Sequence, residues 1–225
     1  MESSLHRQLK LFYGGHVDDV EVQVDGYRID AVVRGRLFEI QQASLSALRD
    51  KVHDLLERHR VIVVKPLVSR KLLIRRDQPG GEIVSTRFSP IRESVLHLFE
   101  DLVHFVNVFP HPRLTLEVVL TEQEEHRITR IRRRRRGPDY RVQDRLLTQI
   151  VSTTKLKTAA DLRRLLPASM PPTFTTGDLA THAQIPRWLA QKMAYCLRKT
   201  GAIELLGKQR NALLYGVTRK GRRAA

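Results

Sequence analysis

Residues 61–64 read Val-Ile-Val-Val and follow an amphipathic stretch with almost no spacer. A strand that is apolar at every position has no side to give to water, so both of its faces must be covered. Residues 44–59 supply a crossover, because Leu45, Leu48, Val52, Leu55 and Leu56 fall on one stripe at helical spacing. A helix leading into a doubly buried strand is half of a parallel strand pair, which requires a long crossover.

The segments around this run fill in an α/β order. Residues 3–13 are predicted as a short helix with Leu5, Leu9 and Phe12 at helical spacing, ended by Gly14-Gly15. Residues 20–24 alternate strictly, Val-Glu-Val-Gln-Val, and Asp25-Gly26 marks a turn. Residues 27–33 form a second strand, Arg34-Gly35 a tight turn, and residues 36–41 a third strand. Beyond the apolar run, 71–76 and 82–87 make a hairpin around Gln78-Pro79-Gly80-Gly81. A helix is expected over 91–106 and a strand over 114–121. Helical pieces are expected over 143–152 and 158–166, before a Pro-rich loop at 167–172. The expected domains are 1–125, an α/β unit; 126–172, a basic strand and helical linker; and 173–225, a small helical unit.

The third strand, Leu37-Phe38-Glu39-Ile40, carries a carboxylate inside an apolar run, and such a charge is costly unless something pairs with it. If Arg34-Gly35 is a two-residue turn, Asp30 on the second strand lies opposite Glu39, and Arg28 opposite Gln41. Facing carboxylates at about 5 Å between Cβ atoms repel. They make sense if a hard divalent cation, Mg²⁺ or Mn²⁺, lies between them. The competing reading pairs Asp30 or Glu39 with Arg28, Arg34 or Arg36, since ion-pair networks mimic functional sites.

Asp30, then Glu39-Ile40-Gln41 on the next strand, then a helix and a Val-rich strand, resembles the PD-(D/E)xK superfamily of restriction-endonuclease-like nucleases. The resemblance covers roughly residues 1–120 and implies a mixed sheet flanked by helices. It implies Asp30 and Glu39 as metal ligands beside the backbone carbonyl of Ile40, with Mg²⁺ or Mn²⁺ as the cofactor. The position of the usual lysine holds Gln41, which can orient water but adds no charge; Lys51, on the following helix, is the candidate replacement. Glu21, Glu2 and His6 are also within reach of such a site, and Glu2 and His6 share a helix face. The pattern also resembles an uncharacterised prokaryotic family in which such a core is joined to a DNA-binding unit.

Charge points to a polyanion. The 225 residues hold 40 Lys and Arg against 24 Asp and Glu, a net +16. Arg132 to Arg136 are consecutive, and Arg132, Arg133, Arg134 and Arg135 are expected to meet phosphates without reading sequence. The alternative for this run is a solvated charge block.

Residues 173–217 predict a short helix from Thr175, a turn at Ile185-Pro186, a basic helix to about Lys199, and a hairpin around Gly207 to Asn211. This order resembles a winged helix-turn-helix, whose second helix enters the major groove while the wing touches the backbone. The resemblance places Arg187, Gln191, Lys192, Arg198, Lys208 and Arg210 at DNA. Cys196, the only cysteine, falls on the inward stripe of that helix and reads as a small apolar residue. One cysteine and no apolar run of about 18 residues fit a cytoplasmic protein with no membrane partner.

The leading expectation is therefore a metal-dependent DNA endonuclease targeted by a winged helix, acting on double-stranded or branched DNA. A homodimer is the natural arrangement for double-strand cutting. The alternative is a DNA-binding protein whose nuclease-like core is inactive; an RNA-directed protein rests on charge alone.

Overall fold

The computed structural model describes residues 2–129 and 138–217. The chain is α/β and is built on a large mixed sheet. Helix α1 (Ser4–Gly14) opens it, with the Ser3 side chain accepting from the His6 amide as its N-cap. Strands β1 (Val20–Val24), β2 (Tyr27–Val33) and β3 (Arg36–Ile40) form an antiparallel meander. Its two turns place Asp25-Gly26 at φ of 49° and 81° and Arg34-Gly35 at φ of 50° and 69°. Positive φ at both central residues is the primed turn that matches strand twist. Arg34-Gly35 is thus a two-residue turn, and the register Val33–Arg36, Val32–Leu37, Ala31–Phe38 follows from it.

Helix α2 (Arg49–Leu55), entered through a 3-10 turn at Leu45–Leu48, leads to β4 (Arg60–Arg76). The apolar start of β4 lies parallel to β3, from Arg36–Arg60 to Ile40–Val64. Val61, Val63 and Val64 have no exposed surface, as a doubly covered strand requires. The rest of β4 runs on, without a break, into the antiparallel partner of β5 (Ile83–Phe88). Strands β6 (Leu114–Thr129) and β7 (Tyr140–Leu156) complete the sheet in the order β1-β2-β3-β4-β6-β7, with β5 on the far part of β4. Leu5 and Leu9 of α1 pack with Ile40, Ile62, Val64 and Val119 of β3, β4 and β6, and Tyr13, Phe38, Leu147 and Ile150 close the rim of that cluster.

Contacts divide the chain into two compact units. One comprises Met1–Gln42, His59–Val95 and Glu117–Thr154; the other comprises Ala43–Arg58, Leu96–Leu116 and Lys155–Ala225. The second holds α2, α3 (Phe99–Leu102), α4 (Ala159–Arg163), β8 (Thr173–Phe174), α5 (Thr176–Ala183), α6 (Arg187–Lys199), β9 (Ile203–Gln209) and β10 (Ala212–Val217). Strands β8, β10 and β9 pair in that order as a small antiparallel sheet. Thr158 with Asp161, and Thr175 with Asp178, form reciprocal capping boxes that start α4 and α5.

Two expectations are corrected. Residues 143–152 are not a helix: they lie within β7, an outer strand of the large sheet. The spacing of Leu147 and Ile150 imitates a helical stripe, but the β-branched run that follows and the open edge of β6 favour a strand. The edge is pinned by α1, where Gln8 donates to the Leu147 carbonyl and accepts from its amide, and Asp144 accepts from the Ser4 amide and hydroxyl. Residues 114–129 and 140–156 thus both belong to the large sheet. The helix expected over 91–106 shrinks to a 3-10 turn at Val95–Leu98 and α3. The segment before it is held extended, because the Glu93 amide donates to Val68 O and its carboxylate accepts from the Val68 amide.

Leu9 is fully buried between the helix and the strands. Leu9→Ala is expected to lower unfolding stability by about 3 kcal/mol, the usual cost of a core cavity. Urea denaturation should show a lower midpoint with an unchanged slope.

Candidate functional site

Asp30 and Glu39, the acidic residues expected to share a metal, are held by different neighbours. Phe38 and Ile40 both pack on the α1 side, Phe38 with its ring 5.3 Å from that of Tyr13. Strand alternation directs Glu39, between them, to the opposite face, where it is 3% exposed. Asp30 instead engages α1. Its Oδ2 accepts from the Ile40 amide at 2.8 Å, and its Oδ1 lies 3.2 Å from His6 Nε2 and 3.3 Å from Lys10 Nζ. The carboxylate has become part of the β2–β3 junction.

Around it stands a cluster of which sequence reading named Glu2, His6 and Glu21 but not Lys10. Lys10 Nζ sits 2.7 Å from Glu2 Oε1, 2.8 Å from Glu21 Oε1 and 3.3 Å from Asp30 Oδ1. Three carboxylates from three segments meet on one nearly buried ammonium. His6 Nε2 adds a contact of 3.5 Å to Glu2, and Arg28 pairs with Glu21 from the outside. The available signal was the four-residue spacing of Glu2, His6 and Lys10, the last two on one face of α1. Burial alone lowers the Lys10 pKa, yet the bonds to Glu2 and Glu21 and the charge of Asp30 outweigh it and raise it above the ordinary value. For Asp30, burial pushes the pKa up, while the bonds from His6 and the Ile40 amide and the Lys10 charge bring it below the usual carboxylate value.

This donor set does not fit the implied Mg²⁺ or Mn²⁺. Either ion needs oxygens at about 2.1 Å in octahedral array. Here the point where the Glu2, Glu21 and Asp30 carboxylates meet is taken by the Lys10 ammonium, which repels a cation. Among the described residues no group of three or more His, Cys, Asp and Glu side chains is arranged to hold a metal. The Gln41 amide donates to the Val64 carbonyl, continuing the β3–β4 ladder. Lys51 is half-buried on α2, in the second unit.

The second candidate site lies wholly within that unit. Helices α5 and α6 are joined by three residues, with Gln184 in the left-handed conformation and Pro186 as the α6 cap. Leu189, Ala190, Met193, Ala194, Cys196 and Leu197 are buried. Burial pushes the Cys196 thiol up to about 12, so it stays protonated and inert. On the exposed side Arg187, Gln191, Tyr195 and Arg198 form a stripe at helical spacing. With Arg210 and Asn211 at the β9–β10 tip they line a groove of about 680 Å³. Of the predicted DNA contacts, Arg187, Gln191, Arg198 and Arg210 come together here. Lys192 and Lys208 do not line the groove, and Lys192 lies 5.4 Å from the centre of the exposed Trp188 ring. Arg132, Arg133, Arg134 and Arg135 lie outside the described residues. No described helix is long and apolar enough to cross a membrane.

The family model for a domain of unknown function, DUF8091, matches residues 3–157. The chain belongs to the DUF8091 family. The match ends one residue beyond β7, so this DUF8091 domain carries the large sheet and leaves α4 to β10 outside it. An uncharacterized protein of Treponema pallidum (strain Nichols) is 30% identical over 180 residues, which is 80% of this chain and 71% of the relative. No solved structure gives a significant match.

The α1 cluster has a defined pH signature. Asp30, with its lowered folded-state pKa, contributes stability above its unfolded value near 3.8 and loses it as pH falls through the folded value. Lys10 does the opposite: its contribution is present below 10.5 and lost as pH rises through the raised value. Asp30→Asn is expected to destabilise at pH 7 by about 1–3 kcal/mol, with the gap to wild type closing below about pH 4. Thermal melts from pH 3 to 8 measure it; a gap that stays constant across this range contradicts the assignment.

Proposed function

We propose that this chain is a DNA-binding protein that docks on duplex through its carboxyl-terminal unit, a winged helix-turn-helix joined to a nuclease-like sheet domain. The observation that carries the reading is the groove between α6 and the β9–β10 tip. One helix face offers two arginines, a glutamine and a tyrosine, and the hairpin beside it adds Arg210 and Asn211. Arginine and glutamine pair with base edges in the major groove, and an exposed hairpin tip suits the adjacent backbone. The order α4-β8-α5-α6-β9-β10, with β8 against β10, supports the same reading. The net charge of +16 adds a sequence-independent attraction to phosphate.

The sheet domain supports a nuclease-like ancestry through its order, one helix, three strands, a helix and a strand parallel to the third. That order is also the basis of a second reading, a metal-dependent endonuclease on Mg²⁺ or Mn²⁺ centred on Asp30, Glu39, Ile40, Gln41 and Lys51. The Lys10 ammonium and the His6 ring held against Asp30 favour the binding reading over it.

Fluorescence anisotropy with a labelled duplex tests the proposal. Arg187→Ala and Arg198→Ala are each expected to weaken binding about tenfold, or 1.4 kcal/mol. Undiminished affinity in both contradicts docking through α6. Incubation of plasmid and branched DNA with Mg²⁺ or Mn²⁺ separates the readings. Cleavage by wild type that is lost in Asp30→Ala and in Glu39→Ala establishes the endonuclease.

A further inference from the structure

The far end of the large sheet carries a second basic site that no sequence motif marks. Register on β4 and β5 pairs Leu73 with Arg87 and Arg75 with Ser85, so these side chains share a face. Across that face Arg75, Arg87 and Arg127, with Ser85, Asp139 and Tyr140, line a cavity of about 100 Å³ floored by Leu73. Lys71 and Arg145 approach the same surface through Glu125, a carboxylate only 3% exposed that also binds Arg127. Burial pushes the Glu125 pKa up, but Arg127, Arg145 and Lys71 outweigh it and hold it down to about 2, so it stays charged. Five cations, Lys71, Arg75, Arg87, Arg127 and Arg145, therefore face two carboxylates, Glu125 and Asp139.

We propose that this cavity binds a phosphate group of a nucleic-acid backbone, giving the sheet domain its own contact with the polymer. The guanidiniums are held in place before any ligand arrives. Arg75 donates to Asp139 at 2.9 Å and to Thr129 Oγ1 at 3.0 Å. Arg127 donates to Glu125 at 2.7 Å and stacks over the Tyr140 ring at 3.9 Å. Little side-chain freedom is left to lose on binding, and the planar forks suit phosphate oxygens. Arg87 is exposed and completes the rim. The volume is a third or less of the roughly 300–1,000 Å³ of small-molecule pockets. A single oxyanion of a longer chain suits it better than a free nucleotide. The excess of positive charge over the whole chain selects nucleic acid among phosphate-bearing polymers. The site lies in the other unit from the α6 groove and stands or falls separately from it.

Two measurements on the full chain test it. In anisotropy titrations across a salt series, Arg87→Ala is expected to weaken duplex binding by three- to tenfold and to reduce the slope of log K against log salt by about one. Arg198→Ala serves as the parallel arm. Loss in Arg87→Ala alone supports this site and contradicts docking through α6; loss in Arg198→Ala alone overturns this site and leaves α6 docking intact. In the second measurement, wild-type protein is treated with phenylglyoxal, and modified arginines are mapped with and without duplex. Protection of Arg87 by DNA supports the site, and equal modification overturns it.

Discussion

The parallel pairing of β3 with β4 is the constraint on which the DUF8091 domain depends. Five residues of each strand are paired, and the apolar half of β4 is covered on both faces. Once this pair is fixed, α2 has to be the crossover, and the β1–β3 meander has to extend from the free side of β3. Leu5 and Leu9 then find their partners on Ile40, Ile62 and Val64. The hydrophobic effect supplies the energy, while the obligation to pair every buried backbone group supplies the order.

The same alternation that builds the core decides the electrostatics. Phe38 and Ile40 have to face α1 to bury their side chains, and Glu39 is thereby turned away. Asp30 stays on the α1 side and is met by Lys10 and His6. An ammonium among three carboxylates satisfies much the same charge balance that a divalent ion would, but as a fixed part of the fold. The cluster ties α1 to the β1–β3 meander through Lys10, Glu21 and Asp30. Glu125 offers a comparison at the other end of the sheet, where one buried carboxylate organises three cations and leaves an arginine-lined cavity beside them.

Positive charge is distributed over both units in forms of different character. The α6 groove combines arginines with Gln191, Tyr195 and Asn211. The cavity on the β4–β5–β6–β7 face sets three arginines against Asp139, with Ser85 and Tyr140 beside them. On the proposed reading, one surface would read and the other grip, since base contacts specify and phosphate contacts position.

The sequence by itself determined the elements whose signals are local. The Val61–Val64 run, the strict alternation of residues 20–24, the two left-handed turns at Asp25-Gly26 and Arg34-Gly35, and the inward stripe of α6 all report on neighbours within a few residues. The β2–β3 register followed from the turn alone. Tertiary structure decided what depends on distant partners. It made residues 143–152 a strand, because the open edge of β6 and the Gln8 and Asp144 contacts of α1 outweigh a helix-like spacing. It brought Lys10 to Asp30, Glu2 and Glu21, and Arg75 to Arg87 and Arg127. Charge pairing between segments far apart in the chain leaves no periodic trace in a sequence, whereas the burial of an apolar stripe does.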